Sequence, residues 1–185
     1  MAKRVCPWWL GYLLASRLRR LMYDPTKILA PHVRQGMTVL EPGPGMGFFT
    51  LELARLVGPC GRVVAVDIQP RMLAGLKRRA ARAGLQERVE TRVAAPDSLG
   101  VRDLAGRVDF ALAFALVHEL PAAGCFFTEV AAALKPGAYL LLAEPTGHVS
   151  AAEFENELQV AAQVSLQLAD RPAIRHNRTA LLKRV

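Results

Sequence analysis

The segment Val39-Leu40-Glu41-Pro42-Gly43-Pro44-Gly45-Met46-Gly47-Phe48-Phe49 decides how this chain folds. An apolar run enters a glycine-rich turn, and a helical pattern follows at once. That is the signature of a strand–turn–helix unit. Glycines at alternate positions permit tight turns and let a ligand lie against bare main chain. The spacing is G-x-G-x-G. The dinucleotide fingerprint G-x-G-x-x-G would need a glycine at position 48, where Phe48 stands. Glu41 adds a second restriction. A carboxylate at the strand end is unfavourable beside a pyrophosphate and favourable beside a cation. A plain tight turn would explain the glycines but gives no reason for the acid.

Outward from this turn, two periodicities alternate. Continuous apolar runs occupy 37–43, 62–68, 89–95, 108–115 and 138–144. Such runs suit strands buried on both faces of a parallel sheet. Helical patterns lie between them at 47–57, 70–83 and 121–134, with a short piece at 97–104. The last part differs. Residues 151–163 read as a helix with Phe154, Leu158, Val160 and Ala161 towards the core, and 164–169 and 179–185 alternate like strands. Residues 170–178 are too few for a crossover helix, so these strands are expected to form an antiparallel hairpin at a sheet edge. No repeat, low-complexity segment or linker interrupts the chain. The expectation is therefore one α/β domain over 1–185, with an N-terminal helical arm at 1–36 and a core at 37–185.

Composition agrees with a globular chain. Of the 185 residues, 52% are hydrophobic, which excludes intrinsic disorder. The net charge is +8, from 24 basic and 16 acidic side chains. It is spread along the sequence, which fits an arginine-rich surface better than a dedicated nucleic-acid tract. The basic helix 70–83, with Arg71, Lys77, Arg78, Arg79 and Arg82, is expected to present a solvated face. The three cysteines form no metal or disulfide pattern. Cys60 marks a turn and Cys125 is expected in the core. The apolar run from Val5 to Ala15 has an early Pro7 and is followed by Ser16-Arg17-Leu18-Arg19-Arg20 instead of a cleavage site. It is too short to span a bilayer. A cytoplasmic protein without stable membrane insertion is expected, as a monomer or homodimer.

A second acid follows the glycine turn. The run Val63-Val64-Ala65-Val66-Asp67-Ile68 places Asp67 20 residues after Gly47. An acid at this strand end can accept hydrogen bonds from ribose hydroxyls, with Ile68 against an adenine face. The alternative is a cap for the helix that starts near Pro70. Together, residues 34 to 145 resemble the class I S-adenosylmethionine-dependent methyltransferase family. Glu41, Gly43, Pro44, Gly45 and Gly47 match its turn for the methionine half, and Asp67 matches its ribose acid. Val108-Asp109-Phe110-Ala111-Leu112-Ala113-Phe114 is similar to its fourth strand, whose end, Phe114, faces the methyl group. Leu134-Lys135-Pro136-Gly137-Ala138 is similar to the turn into its fifth strand. The resemblance implies a Rossmann-like three-layer sandwich with a seven-stranded, mostly parallel sheet, and S-adenosylmethionine as cofactor. Two departures stand out. The acid that meets the adenine amino group is displaced in Ala94-Ala95-Pro96-Asp97-Ser98, leaving Ala95 and Asp97 as candidates. The C-terminal helix lacks its terminal glycine.

A sulfonium donor is already activated, so the protein supplies alignment and a shielded site. A base is needed only when the nucleophile must lose a proton. His118, in Val117-His118-Glu119-Leu120-Pro121, is the candidate, against a backbone-bonding or capping role. His32, His148 and His176 have no motif context and read as surface or loop residues. No Asn-Pro-Pro-Tyr, Asp-Pro-Pro-Tyr or Pro-Cys sequence follows the fourth strand. That argues against amide or exocyclic nitrogen acceptors and against a cysteine nucleophile. A small-molecule acceptor remains favoured, with RNA, reached through the basic surface, or binding without turnover as alternatives. Trp8, Trp9, Tyr12 and Tyr23 are expected to roof the acceptor pocket, since such side chains are costly to leave in water, with a helix packed on the domain or a membrane-surface or RNA contact as the alternatives.

Overall fold

The computed structural model describes residues 22–185. Its seven strands take the order β3-β2-β1-β4-β5-β7-β6. The described chain divides into two compact units, residues 22–96 and 97–185.

The first unit holds α1 (Pro25–Leu29), β1 (Thr38–Pro42), α2 (Thr50–Leu56), β2 (Arg62–Asp67), α3 (Pro70–Arg82) and β3 (Val89–Val93). β1, β2 and β3 pair in parallel, with Leu40 opposite Val64 and Val64 opposite Glu90. Val39, Leu40, Val63, Val64 and Ala65 are fully buried, as continuous apolar runs require. Asp24 caps α1 by accepting from the amides of Thr26 and Lys27. Helix α3 starts with Pro70 and buries Met72, Leu73, Gly75, Leu76 and Ala80, a helical-period stripe. Arg71, Lys77, Arg78 and Arg82 stay exposed on its other side. Arg79 departs from the expected solvated face, for its guanidinium donates to the Met46 carbonyl of the glycine turn. Gly75 lies where any side chain would press on Met46, its nearest atom 2.9 Å from a Cβ built there.

The second unit holds β4 (Val108–Phe114), α4 (Ala123–Ala133), β5 (Leu134–Pro145), α5 (Ala151–Ala162), β6 (Leu166–Asp170) and β7 (Asn177–Arg184). β4 and β5 are parallel, and β7 runs antiparallel to both β5 and β6. The C-terminal hairpin is therefore present, with β6 outermost. Phe110, Phe127 and Phe154 fill its interior. Helix α5 opens with a capping box: Ser150 accepts from the Glu153 amide, and Glu153 accepts from the Ser150 amide. On α5, Phe154, Leu158 and Ala161 are buried and Val160 is half-buried.

Four expectations need correction. The strand at 89–95 is not buried on both faces: β3 holds no buried residue, because Glu90, Thr91 and Arg92 interrupt its apolar run and it ends the strand order. The piece at 97–104 forms only a 3₁₀ turn, Arg102–Leu104, because Gly100 adopts φ 66° and breaks the helical path. Strand β5 begins at Leu134, not at 138, and its register against β4 shifts between Val108 and Phe110. Cys125 is exposed on α4 because Phe126 and Phe127 take the buried positions beside it. Where the C-terminal helix lacks its glycine, Ser165 adopts the left-handed conformation instead, with φ 64°. Among the described residues no helix is long and apolar enough to cross a membrane.

Candidate active site

In the first unit the site is built on the turn after β1. Gly43, Gly45 and Gly47 all adopt positive φ, at 69°, 54° and 83°. The turn is tied to β2 by the Gly43 amide, which donates to the Val66 carbonyl at 2.8 Å. The glycines differ in what surrounds them. A Cβ at Gly45 would meet nothing within 4 Å, whereas one at Gly47 would collide with the Leu76 side chain. Gly45 thus leaves a bare, open stretch of main chain, and Gly47 is packed on α3. Pro44 is buried between them.

Two carboxylates flank this turn. Glu41, inside β1, is 3% exposed. Asp67 ends β2 at 9% exposure, and its carboxylate accepts from the Gln69 amide at 2.8 Å and the Gly45 amide at 3.2 Å. Asp67 therefore does two things. It closes a local turn onto the Gln69 amide, ahead of an α3 whose N-cap Gln69 has no side-chain cap bond, and it clamps the glycine turn. Burial pushes the Asp67 carboxyl above its ordinary value, against the lowering effect of these two amide donors. Ile68, next in the chain, is 42% exposed, an apolar side chain left in water. Ala95 and Asp97 are exposed in the turn after β3.

In the second unit the ends of β4 and β5 carry the remaining candidates. Phe114 is the last residue of β4 and is 9% exposed. Ala115 then adopts φ 54°, a conformation rare for a residue with a Cβ, and its amide donates to Ala143 at 2.7 Å. This bend leads into a 3₁₀ turn, Val117–Glu119. Glu144, near the end of β5, is fully buried. One of its oxygens accepts from the amides of Leu116 (3.0 Å) and Val117 (2.8 Å). Its other oxygen bonds Nδ1 of His118. A carboxylate can only accept, so Nδ1 of His118 carries the proton. Nε2 of His118 stands 3.4 Å from Nδ1 of His148, and the rings meet edge to face at 5.3 Å. The hydrogen bond that His118 donates to Glu144 raises the His118 pKa above 6.5, burial opposes it, and the charges of Glu144, Glu119 and Glu157 add to the rise.

His148 is thus no isolated loop residue, and Glu144 was missed as a candidate. The only signal for either was that 144 ends an apolar run and 148 precedes a helix start. Among the described residues no three metal-ligating side chains gather. Tyr23 is half-buried just ahead of α1. Trp8, Trp9 and Tyr12, expected to roof the acceptor pocket, lie outside the described residues.

The profile of a methyltransferase domain family matches residues 34–179. The chain belongs to this family, of the class I S-adenosylmethionine-dependent type. A ribosomal protein L11 methyltransferase of Pelotomaculum thermopropionicum is 35% identical over 118 residues, 62% of this chain and 34% of that protein. An arsenite methyltransferase of Halobacterium salinarum is 30% identical over 125 residues, 68% of this chain and 30% of that protein. The chain thus spans about a third of these two relatives. The crystal structure of a SAM-dependent methyltransferase from Aquifex aeolicus superposes with a TM-score of 0.87, at 23% identity, over 98% of this chain and all of that one.

Proposed function

We propose that this chain transfers a methyl group from S-adenosylmethionine to a small-molecule acceptor in the cytoplasm. The observation that carries this reading is the turn at Gly43–Gly47, open at Gly45 and clamped by Asp67. The donor set fits the cofactor. Glu41 and Asp67 bring two carboxylates and the turn brings bare main chain, which suits a ligand with cationic groups and a ribose diol and no phosphate. Gly43, Gly45 and Gly47 would lie along its methionine half. Asp67 would take its ribose hydroxyls with the lone pairs that the amides of Gly45 and Gln69 leave available. Ile68 would cover an adenine face and Ala95 the adenine edge. Bound there, the cofactor supplies a methyl group already activated for in-line displacement. His118 is the group of the second unit suited to accept a proton.

Calorimetry tests this directly. Micromolar binding of S-adenosylmethionine and S-adenosylhomocysteine is expected, with NAD much weaker. Tighter binding of NAD would end the reading. The exposed row Arg71, Lys77, Arg78 and Arg82 favours RNA as the rival acceptor. A salt-dependent mobility shift with bulk RNA would support that rival.

A further inference from the structure

In the second unit two histidines from different elements face one another. His118 comes from the 3₁₀ turn after β4, and His148 from the loop between β5 and α5. Nε2 of His118 stands 3.4 Å from Nδ1 of His148, which is long for a hydrogen bond. The ring centres are 5.3 Å apart and the ring planes stand at 78°. A straight N–H···N bond of this length would hold the centres about 5.7 Å apart, since each ring nitrogen lies about 1.15 Å from its centre. The rings are therefore canted off the line that joins their nitrogens.

Two imidazoles bound to one tetrahedral ion are canted in this way. With metal–nitrogen bonds of about 2.05 Å, their nitrogens lie about 3.35 Å apart and their ring centres about 5.2 Å apart. Both separations of the His118–His148 pair fall within about 0.1 Å of these values. The surroundings also suit a cation. Glu144 takes the Nδ1 proton of His118, which leaves the lone pair on Nε2, the nitrogen that faces His148. A carboxylate behind a ligating histidine fixes its tautomer and makes it a better donor. Glu144 is fully buried and is held in turn by the amides of Leu116 and Val117. The charges of Glu119 and Glu157 act on the same ring. The His148 amide donates to the Pro145 carbonyl at 3.0 Å, which anchors the loop. His148 is exposed, so water can exchange a proton on its Nδ1 for one on its Nε2.

We propose that His118 and His148 form a binding site for a divalent ion of the zinc class, through Nε2 of His118 and Nδ1 of His148. Glu144 is the positioning residue behind His118. Imidazole nitrogens suit zinc, copper and nickel, not calcium or magnesium. Two protein ligands leave the other positions of a tetrahedron to water, so the site is an open one. The ion and a proton are alternatives at Nε2 of His118, and an occupied site removes His118 as a proton acceptor. The site lies wholly within the second unit and does not depend on the methyl-transfer reading.

Calorimetry with zinc chloride on the full chain, with no methyl donor present, tests the site. One ion per chain is expected at this pair. His148→Gln, an exposed change, should weaken zinc at least about tenfold, whereas His176→Asn should leave the affinity unchanged. Nitrogen-edited NMR should show zinc shifting Nε2 of His118 and Nδ1 of His148, with Nδ1–H of His118 retained. Glu144→Gln should let the Nε2–H tautomer of His118 appear and weaken zinc about 10- to 100-fold. His148→Gln decides the matter even if Glu144→Gln fails to fold. No zinc uptake by the wild type, or zinc shifts at other histidine nitrogens only, would overturn the site. Uptake that His148→Gln leaves unchanged would mark an adventitious ion only and overturn it as well.

Discussion

Replacing Asp67 by Asn separates what this residue does for the ligand from what it does for the fold. The carboxylate is 9% exposed and accepts two backbone amides. Hydrogen bonds to a charged group contribute about 1.5–3 kcal/mol each at most. Burying that charge opposes them. The raised pKa shows that burial outweighs the amide donors here. The sign follows by linkage. A carboxyl whose folded pKa lies above its ordinary 3.8 favours the folded state below that value, and this contribution is lost as pH rises through the raised pKa. At neutral pH the ionised Asp67 is therefore not an electrostatic asset to stability. Asp67→Asn keeps one acceptor oxygen for Gln69 and removes the buried charge. Its stability should change by less than about 1 kcal/mol, the balance of these opposed effects. Loss of a charged partner for two ribose hydroxyls should weaken S-adenosylhomocysteine by about 1.5–3 kcal/mol, roughly 10- to 150-fold. Urea unfolding at pH 7 and calorimetry on the same samples give both numbers. An unchanged dissociation constant, or a stability loss as large as the affinity loss, would show that Asp67 serves only to hold the local backbone.

Other substitutions probe the remaining geometry. Gly45→Ala meets no atoms, so it should cost only the left-handed strain of about 1–2 kcal/mol in urea, yet weaken S-adenosylhomocysteine at least tenfold. Gly47→Ala should cost the fold more, destabilising by about 2–5 kcal/mol through strain and collision with Leu76, as read from the same curves. Ser165→Gly should raise stability by about 0.5–1 kcal/mol, since φ 64° suits glycine at the end of α5; a loss in thermal unfolding would contradict the backbone assignment. Because its pKa is raised, His118 contributes stability that is complete below pH 6.5 and lost as pH rises through the raised value. His118→Gln should therefore flatten the stability profile in that window, and an identical profile would mean that the Glu144 bond does not persist in solution.

The strand–helix alternation, the glycine turn and the final hairpin were legible in the sequence because each is a local consequence of residue type. Apolar runs are long enough only for buried strands. Glycines at alternate positions are tolerated only where the backbone turns left-handed. Nine residues between the last two apolar segments cannot form a crossover. Glu41 and Asp67 could be singled out as candidates because both stand near strand ends next to that turn. What could not be read were relations between distant positions. Glu144 and His118 lie 26 residues apart, and His148 lies 30 from His118. Nothing in their spacing brings them together. They meet because parallel pairing of β4 and β5 aligns Phe114 with Ala143, so that the two strand ends rise side by side. Cys125 was misread for a related reason, since helical periodicity tells which residues share a face but not which face packs inward. Local chemistry thus determined the elements and the glycine turn. Tertiary pairing alone decided which side chains share a proton, because hydrogen bonds depend on distance in space and not along the chain.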